Sequence, residues 1–437
     1  MFAVEVCPLP TTGGATGVAV AALFLLVLGV IVARWTRASA GRVSFVAVVP
    51  LLLLGIGAVS AQSSSTSCDS SSVTTTSTTL APLNQNLILE IDTSFATLGT
   101  DLVYELGLFG NVDVHVDWGD GSPDDDVSVA GPFAHTYATS GQYTVTVSGS
   151  LTGLGQDEDE DPLSGAEYLT AVTSFGDLGT ESLAYAFWGS DNLVNVPAVL
   201  PATITNLYGL FSDASSFNDD ISGWDTSSAT DMSWMLESAT SFNGDISGWD
   251  TSSVTDMSGM FAFATVFDQD LNDWVTSNVT DMSWMFEGAA SFNGDVSGWD
   301  TSSVTDLGSM FVNAASFNGD ISSWDTSKVT NMQGMFSGAS SFDQSLGAWN
   351  IGLVTDMEYM LDNSALSVAH YDDTLIGWED GPKQNNVTLG ASGLSFSSLG
   401  SSARLSLNCY SFWQFSGDSP AFVPSSIDGA QIVPLGC

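Results

Sequence analysis

The residues best suited to bind a metal ion lie in one short acidic stretch. The segment DGSPDDD places Asp120, Asp124, Asp125 and Asp126 within seven residues. Carboxylate oxygens are the ligands that Ca²⁺ prefers, although this segment lacks the spaced ligands of an EF-hand loop. It therefore predicts either a solvated acidic turn or a calcium site formed by these four side chains. Calcium is the one cofactor that the sequence suggests.

Catalytic residues are harder to find. The three histidines, His115, His135 and His370, are too few and too far apart in the sequence to indicate a zinc site or a catalytic triad. Carboxylates are so abundant that no pair stands out as a glycosidase signature. The nucleophile elbow, the P-loop, the zinc-protease motif and the dinucleotide-binding motif do not occur in the sequence. We therefore expect no enzymatic activity.

Cysteine is sparse, with four residues in a chain of 437. This number does not indicate the disulfide framework of a small secreted domain. Cys409 and Cys437 are candidates for a disulfide that ties down the C-terminus, provided that the compartment is oxidising. Two unpaired thiols are the alternative.

The charge balance excludes one class of partner. The chain has 50 acidic against 6 basic residues, and its formal net charge is −44. Such a surface repels phosphate backbones and anionic head groups, so we expect no nucleic-acid partner. Two explanations of the charge stay open, namely adaptation to a saline exterior that screens the repulsion and an ordinary acidic secreted protein.

Two uncharged apolar segments open the chain, at residues 15–33 and 43–61. Each is long enough to span a membrane, and the basic loop between them favours the cytoplasm. The second segment ends in a plausible signal-peptidase site after Ala61. We therefore assign residues 1–61 to a signal or transmembrane region. A cleaved signal and a retained membrane hairpin are both open, and both place residues 62–437 outside the cell, at its surface if the helices are retained.

Residues 9–13, LPTTG, resemble a sortase cell-wall sorting signal. Sortase joins the part before the Thr–Gly bond to the wall, so cleavage here would release the rest of the chain. We expect either a chance match or a relic of a start placed too far upstream.

Residues 87–150 alternate apolar and polar side chains between Gly, Pro and Asp breaks, which predicts an antiparallel β-sandwich. The Ser/Thr-rich residues 62–86 before it are typical of a flexible linker or stalk. The acidic residues 151–168 after it predict a charged linker. The run VDWGDGS followed by FAHTYATSGQYTVTVSG resembles a PKD domain, an immunoglobulin-like module of surface proteins. That resemblance implies that Trp118 fills the core between two sheets.

A 25-residue repeat dominates the second half of the chain, and one copy reads SFNGDISGWDTSSVTDMSGMFAFAT. A fixed period of this length predicts a stack in which each unit covers the apolar face of the last. Apolar spacings of three and four within the unit predict one or two helical turns after a short extended piece. The predicted core residues are Trp224, Trp249, Trp274, Trp299, Trp324, Trp349, Phe242, Phe292, Met260 and Met285.

These units resemble the leucine-rich repeats of BspA-like bacterial surface proteins. The resemblance implies a solenoid over residues 169–365, with degenerate first repeats, and a capping segment over residues 366–437. The predicted fold is therefore mixed and β-rich with short helices. It consists of an immunoglobulin-like, PKD-like β-sandwich followed by a leucine-rich-repeat-type solenoid.

The same resemblance implies a function in adhesion or in binding an extracellular protein, glycan or matrix ligand through the solenoid surface. The positions that vary between repeats, such as 262–265 and 268–273, are where we expect partner contacts. The alternative is an architectural surface-layer or spacer protein with cation-dependent self-association. One carboxylate per repeat is interpreted as a turn residue or as part of a cation-binding ladder; these are Asp245, Asp270, Asp295 and Asp320.

Overall fold

The computed structural model describes residues 85–96, 101–156 and 161–421. The predicted signal or transmembrane region and most of the Ser/Thr-rich linker lie outside these residues. Within the described part of the chain, no helix is long and apolar enough to cross a membrane. The described structure is β-rich with a few short helices, as the sequence predicted.

The first part of the described chain is a six-stranded antiparallel sheet. The strands are β1 (Leu87–Asp92), β2 (Val103–Asp117), β3 (Asp125–Val127), β4 (Gly131–Thr136), β5 (Gln142–Leu154) and β6 (Leu169–Phe175). Their order in the sheet is β3-β2-β5-β1-β6, and β4 also pairs with β2. The 3-10 helices Thr93–Phe95 and Ala166–Tyr168 precede β2 and β6.

Alternating apolar residues give the sheet one buried face. In β1, for example, Leu87, Leu89 and Ile91 are buried while the residues between them are half-buried. The sheet extends past the predicted sandwich, because β5 continues to Leu154 and β6 pairs with β1. Residues assigned from sequence to the acidic linker and to the start of the repeats are thus part of the sheet.

Successive repeats are joined by a ladder of single-residue parallel bridges. We call residues 182–365 the repeat stack. Its first bridge joins Ser182 to Gly153 of β5, so the sheet and the stack share one continuous hydrophobic core. The residues that continue this ladder from one repeat to the next are Ser182, Asn206, Asp231, Asp256, Asp281, Asp306, Asn331 and Asp356.

A column of buried tryptophans runs through the stack. The indole N–H of Trp249 donates to the carbonyl of Ile221 in the preceding repeat at 3.1 Å, and the later repeats have the same bond. The ring centroids of Trp249 and Trp274 lie 6.4 Å apart, with planes only 5° from parallel. All ten residues that the sequence assigned to the core are buried. Each indole therefore packs against its neighbours and also has its hydrogen bond satisfied.

The helical turns predicted within each repeat are wrong. From residue 176 to 366, all of it described, the structure has turns and bridges but no helix. The amides of Met257 and Gly259 donate to the carbonyls of Asp281 and Ser283 in the next repeat, at 3.1 and 2.8 Å. The amide of Met260 instead donates to Met257, three residues back. In an α-helix the amides beyond the first four donate to carbonyls four residues back, whereas here alternate amides donate to the next repeat.

The C-terminal segment continues the stack and then covers it. Trp378 takes the next place in the tryptophan column, with its indole N–H donating to the carbonyl of Leu346 at 3.0 Å. The bridge ladder is extended by a parallel bridge between Met357 and Leu389. The elements are α1 (Val368–Asp380), β7 (Thr388–Gly390), β8 (Ser395–Phe396), α2 (Ser398–Tyr410), β9 (Gln414–Ser416) and β10 (Ser419–Pro420).

Further contacts hold this segment. Oδ1 of Asp343, in the last repeat, accepts a hydrogen bond from the amide of Ser367 at 2.7 Å and lies 2.8 Å from Nδ1 of His370. Ser367 is the N-cap of α1, so these bonds fix the start of that helix. Cys409 in α2 is disulfide-bonded. Cys437, the partner that the sequence suggests, lies outside the described residues.

Candidate binding face of the repeat stack

Two positions of the repeat have a left-handed backbone, with φ between 53° and 72°. For an L-amino acid other than glycine, this conformation costs roughly 1–2 kcal/mol. The first position is occupied by Tyr185, Gly209, Trp234, Gly259, Trp284, Ser309, Gly334 and Tyr359. The second is occupied by Gly189, Asp213, Ser238, Phe263, Gly288, Asn313, Gly338 and Asn363. Large aromatic residues are thus found where the backbone favours glycine.

The rings of Trp234 and Phe263 lean over the next repeat. A Cβ added to Gly259 would collide with the indole of Trp234, and one added to Gly288 would collide with the ring of Phe263. The ring of Trp284 lies 6.0 Å from that of Trp234, at an interplanar angle of 32°. Phe263 and Trp284 are 43% and 42% exposed. The glycines therefore provide the space in which rings lie flat on the surface.

Two glutamates accompany the tryptophans. Glu237 and Glu287 each follow a tryptophan by three residues, and both are half-buried. Burial raises the pKa of Glu237; the Ser212 hydroxyl, which donates to Glu237 at 2.8 Å, partly offsets this, while repulsion from Asp213 and Glu287 adds to it. Burial also raises the pKa of Glu287. We define the aromatic face as Trp234, Phe263, Trp284, Glu237 and Glu287.

The bridge ladder carries a second row of carboxylates, but these are tied to the backbone. Oδ1 of Asp281, for example, accepts from the amide and the hydroxyl of Ser283 at 2.9 and 2.6 Å. Burial raises the pKa of Asp281, and the neighbouring Asp256 and Asp306 raise it further. In the ladder, Asn331 replaces aspartate and donates to both carboxylate oxygens of Asp306, at 3.0 and 3.1 Å. These side chains stabilise turns.

Two of the candidate calcium ligands, Asp120 and Asp125, have separate protein partners. Asp120 accepts from the amide of Ser122 at 2.8 Å and lies 2.9 Å from Nε2 of His135. Its hydrogen bonds with Ser122, which outweigh its burial, and the contact with His135 lower the pKa of Asp120 to about 2. Asp125 accepts from the indole N–H of Trp118 at 2.9 Å. Both carboxylates therefore hold the core of the sheet around Trp118 and His135, whose rings stack 4.7 Å apart.

The other two candidates, Asp124 and Asp126, bind one exposed histidine. His115 lies 2.9 Å from Asp126 through Nδ1 and 3.1 Å from Asp124 through Nε2. The hydrogen bond with Asp126, followed by that with Asp124, raises the pKa of His115. In the described residues, no group of three or more acidic, histidine or cysteine side chains could hold a metal ion. Each of the four aspartates thus contacts a histidine or tryptophan side chain.

The four repeat carboxylates singled out in the sequence lie in turns. Asp245, Asp295 and Asp320 each accept a hydrogen bond from the amide two residues later, at 3.1, 2.9 and 3.0 Å. Asp270 accepts from the amide of Asp295 in the next repeat at 2.9 Å. These bonds are the ordinary role of aspartate in a turn.

The positively charged side chain of Arg404 is bound within the chain by aromatic rings and a carboxylate. Its guanidinium lies 4.4 Å from the ring centroid of Phe415 and 5.1 Å from that of Phe396. Its Nε and Nη2 donate to the two carboxylate oxygens of Asp418, both at 2.7 Å. Among the described residues, this is the only ion pair that involves a lysine or an arginine. Two aromatic rings and a carboxylate therefore form the internal cation site.

The repeats match one family. Residues 182–294 and 269–373 match the family described as Mycoplasma protein of unknown function, DUF285. The two overlapping matches cover the repeat stack, with the aromatic face inside them, and end within α1. No curated protein and no solved structure was found to match the chain. The repeats are thus similar to a family whose description carries no activity.

Most of the aromatic face was missed from the sequence. Of its residues, only Phe263 lies among the variable positions 262–265. The other predicted set, 268–273, is partly structural, because Leu271 is buried and Asp268 accepts a hydrogen bond from the amide of Asn293. The signal for the face was the alternation of aromatic and small residues at the first left-handed position.

Proposed function

We propose that the chain is an exported, non-catalytic protein that acts in adhesion by binding an extracellular partner through the aromatic face. One observation carries the proposal. Trp234, Phe263 and Trp284 have a left-handed backbone at positions where other repeats have Gly, Ser or Asn. Folding of the repeat does not need these rings, since the chain itself builds the same turn without them. Binding a partner is a reason to keep rings exposed at such a cost.

Export rests on the two apolar segments at the start of the sequence and on the Ser/Thr-rich linker after them. We further propose that the sheet is a PKD-like, immunoglobulin-like sandwich and that the stack is a leucine-rich-repeat-type solenoid of the BspA-like kind. The burial of Trp118 against His135 supports the first assignment. The parallel bridges at intervals of one repeat support the second.

The test compares the full-length chain with a swap variant that carries Trp234→Gly, Phe263→Asn and Trp284→Gly. Each new residue already occupies the same position elsewhere in the stack, as at Gly259, Asn313 and Gly334. We expect the wild-type protein to bind cells or extracellular matrix saturably and the swap variant to lose that binding. Tyr359→Gly is the matched control, since Tyr359 is exposed at the same position but lies outside the face.

The architectural alternative predicts a different result, namely Ca²⁺-dependent self-association in sedimentation experiments without saturable binding to cells or matrix. Both ends of the described bridge ladder are paired within the chain, to Gly153 at one end and Leu389 at the other. Beyond Leu389 the described pairing ends at β9, and the edge of a strand of only three residues is a poor template for a second copy. Self-association that chelator reverses, together with unaltered behaviour of the swap variant, would refute adhesion through the face.

A further inference from the structure

We infer that the aromatic face binds a cationic segment of a partner protein, with lysine or arginine side chains lying over the rings and pairing with Glu237 and Glu287. This inference rests on the proposed function and names the chemistry of the partner. It starts from the rings. The indoles of Trp234 and Trp284 lie 6.0 Å apart at 32°, and Gly259 leaves the first ring flat against the next repeat. Ring faces of this kind attract ammonium and guanidinium groups.

The carboxylates supply the second part of the argument. Glu237 and Glu287 occupy the same place in two repeats, with Ala262 at that place in the repeat between them. Neither forms an ion pair with a lysine or arginine of the described residues, where Lys328, Lys383 and Arg404 are the only cations of that kind. A lysine or arginine side chain that forms an ion pair with these half-buried carboxylates therefore has to come from another molecule.

The chain's own cation site has the same composition. Arg404 lies over two aromatic rings and pairs with Asp418, as described above. The aromatic face offers rings and carboxylates of the same kind without a guanidinium. At long range, a formal net charge of −44 attracts cationic partners and repels anionic ones. Local chemistry and the overall field thus favour the same class of partner.

A basic protein segment fits these observations better than a neutral glycan. A neutral sugar could stack on the rings, but it would not neutralise the two glutamates or respond to the charge of the chain. A lysine or arginine side chain uses the ring faces and the carboxylates together. Several such side chains in an extended segment would reach successive repeats, because bridged neighbours lie roughly 4.8 Å apart.

The experiment measures binding of three probes to the full-length protein by isothermal titration calorimetry. The first probe is a ten-residue peptide of alternating lysine and glycine, the second has glutamine in place of lysine, and the third is the neutral sugar cellohexaose. We expect binding of the lysine peptide alone. The variant with Trp234→Gly and Trp284→Gly should bind it about tenfold more weakly, as the loss of two cation–π contacts implies. This variant leaves the net charge unchanged, so it separates the rings from general attraction.

Matched variants isolate the carboxylates. Glu287→Gln and Glu358→Gln each remove one negative charge, but Glu358 is exposed outside the face. We expect Glu287→Gln to weaken binding of the lysine peptide more than Glu358→Gln does, and Tyr359→Gly to leave it unchanged. Equal binding by the double tryptophan variant and the wild type would overturn the inference, as would equal effects of the two glutamate variants.

Failure of this inference can be told apart from failure of the proposed function. If cellohexaose binds and the double tryptophan variant loses it while lysine-peptide binding is unaffected, the partner class is wrong but the face still binds. If the wild-type protein binds no cells, matrix or probe, the proposed function itself fails.

Discussion

Replacing Gly259 by alanine tests the left-handed turn and the placement of the neighbouring ring together. Gly259 has φ of 61°, where alanine costs roughly 1–2 kcal/mol, and the stiffer unfolded chain returns roughly 0.4–1 kcal/mol. The new Cβ would also overlap Cδ2 and Cε3 of Trp234. Forcing that indole off its rotamer costs roughly 0.5–1.5 kcal/mol. We therefore expect the free energy of unfolding to fall by about 2 kcal/mol.

The assay is urea unfolding followed by far-ultraviolet circular dichroism, with Gly248→Ala as the matched control. Gly248 is exposed, its φ lies outside the left-handed range, and a Cβ there would meet nothing within 4 Å. Its substitution should leave stability unchanged or raise it slightly. In a Trp234→Gly background, the new Cβ has no ring to meet, so Gly259→Ala should keep only the backbone part of its cost. Equal urea midpoints for the two alanine variants would refute the described turn and ring placement.

Three further predictions concern stability and use the same assay. Trp274→Ala should lower the free energy of unfolding by about 3–5 kcal/mol, because this side chain is 3% exposed within the tryptophan column; a loss below 1 kcal/mol would contradict the packing. Asp281→Asn should raise it by about 0.5–1 kcal/mol at pH 7. The native state holds the Asp281 proton more tightly than the unfolded state, so wild-type stability falls as pH rises through the raised pKa, and the advantage of asparagine should vanish at pH 3. Asn331→Asp should lower stability at pH 7 by about 1–2 kcal/mol, since it exchanges two hydrogen bonds to Asp306 for a like charge; an unchanged midpoint would argue against that contact.

The period of the sequence was informative because the core repeats with it. Tryptophans at a constant interval of 25 residues can all have the same environment only if successive repeats stack, and the bridge ladder has this arrangement. The prediction of helical turns was wrong for a physical reason. Spacings of three and four, as for Met257, Met260 and Phe261, suit a helix and a run of turns equally well. What decides between them is the bonding of alternate amides to the next repeat, which local periodicity does not contain.

The candidate site was harder to predict than the fold. Abundant carboxylates drew attention to Asp120 and its neighbours. Their histidine and tryptophan partners lie only 7 to 15 residues away, but the acidic stretch itself does not show which side chains it contacts. The aromatic face was hidden because Trp234 and Trp284 looked like variation at one position. Their importance follows from a backbone conformation and from the glycine between them, and both become visible only when the repeats are placed side by side.

The bridge ladder also limits how the protein can change in length. Both ends are occupied by unlike segments, whereas the inner repeats present nearly the same contacts above and below. Gain or loss of one 25-residue unit would move the two ends apart or together by roughly 4.8 Å without altering either junction. The length of the stack therefore changes only in steps of one repeat. The distance between the sheet and a given residue of the stack can change only by whole repeat spacings. Relatives with different numbers of repeats should therefore bind their partners at distances from the sheet that differ by multiples of this spacing.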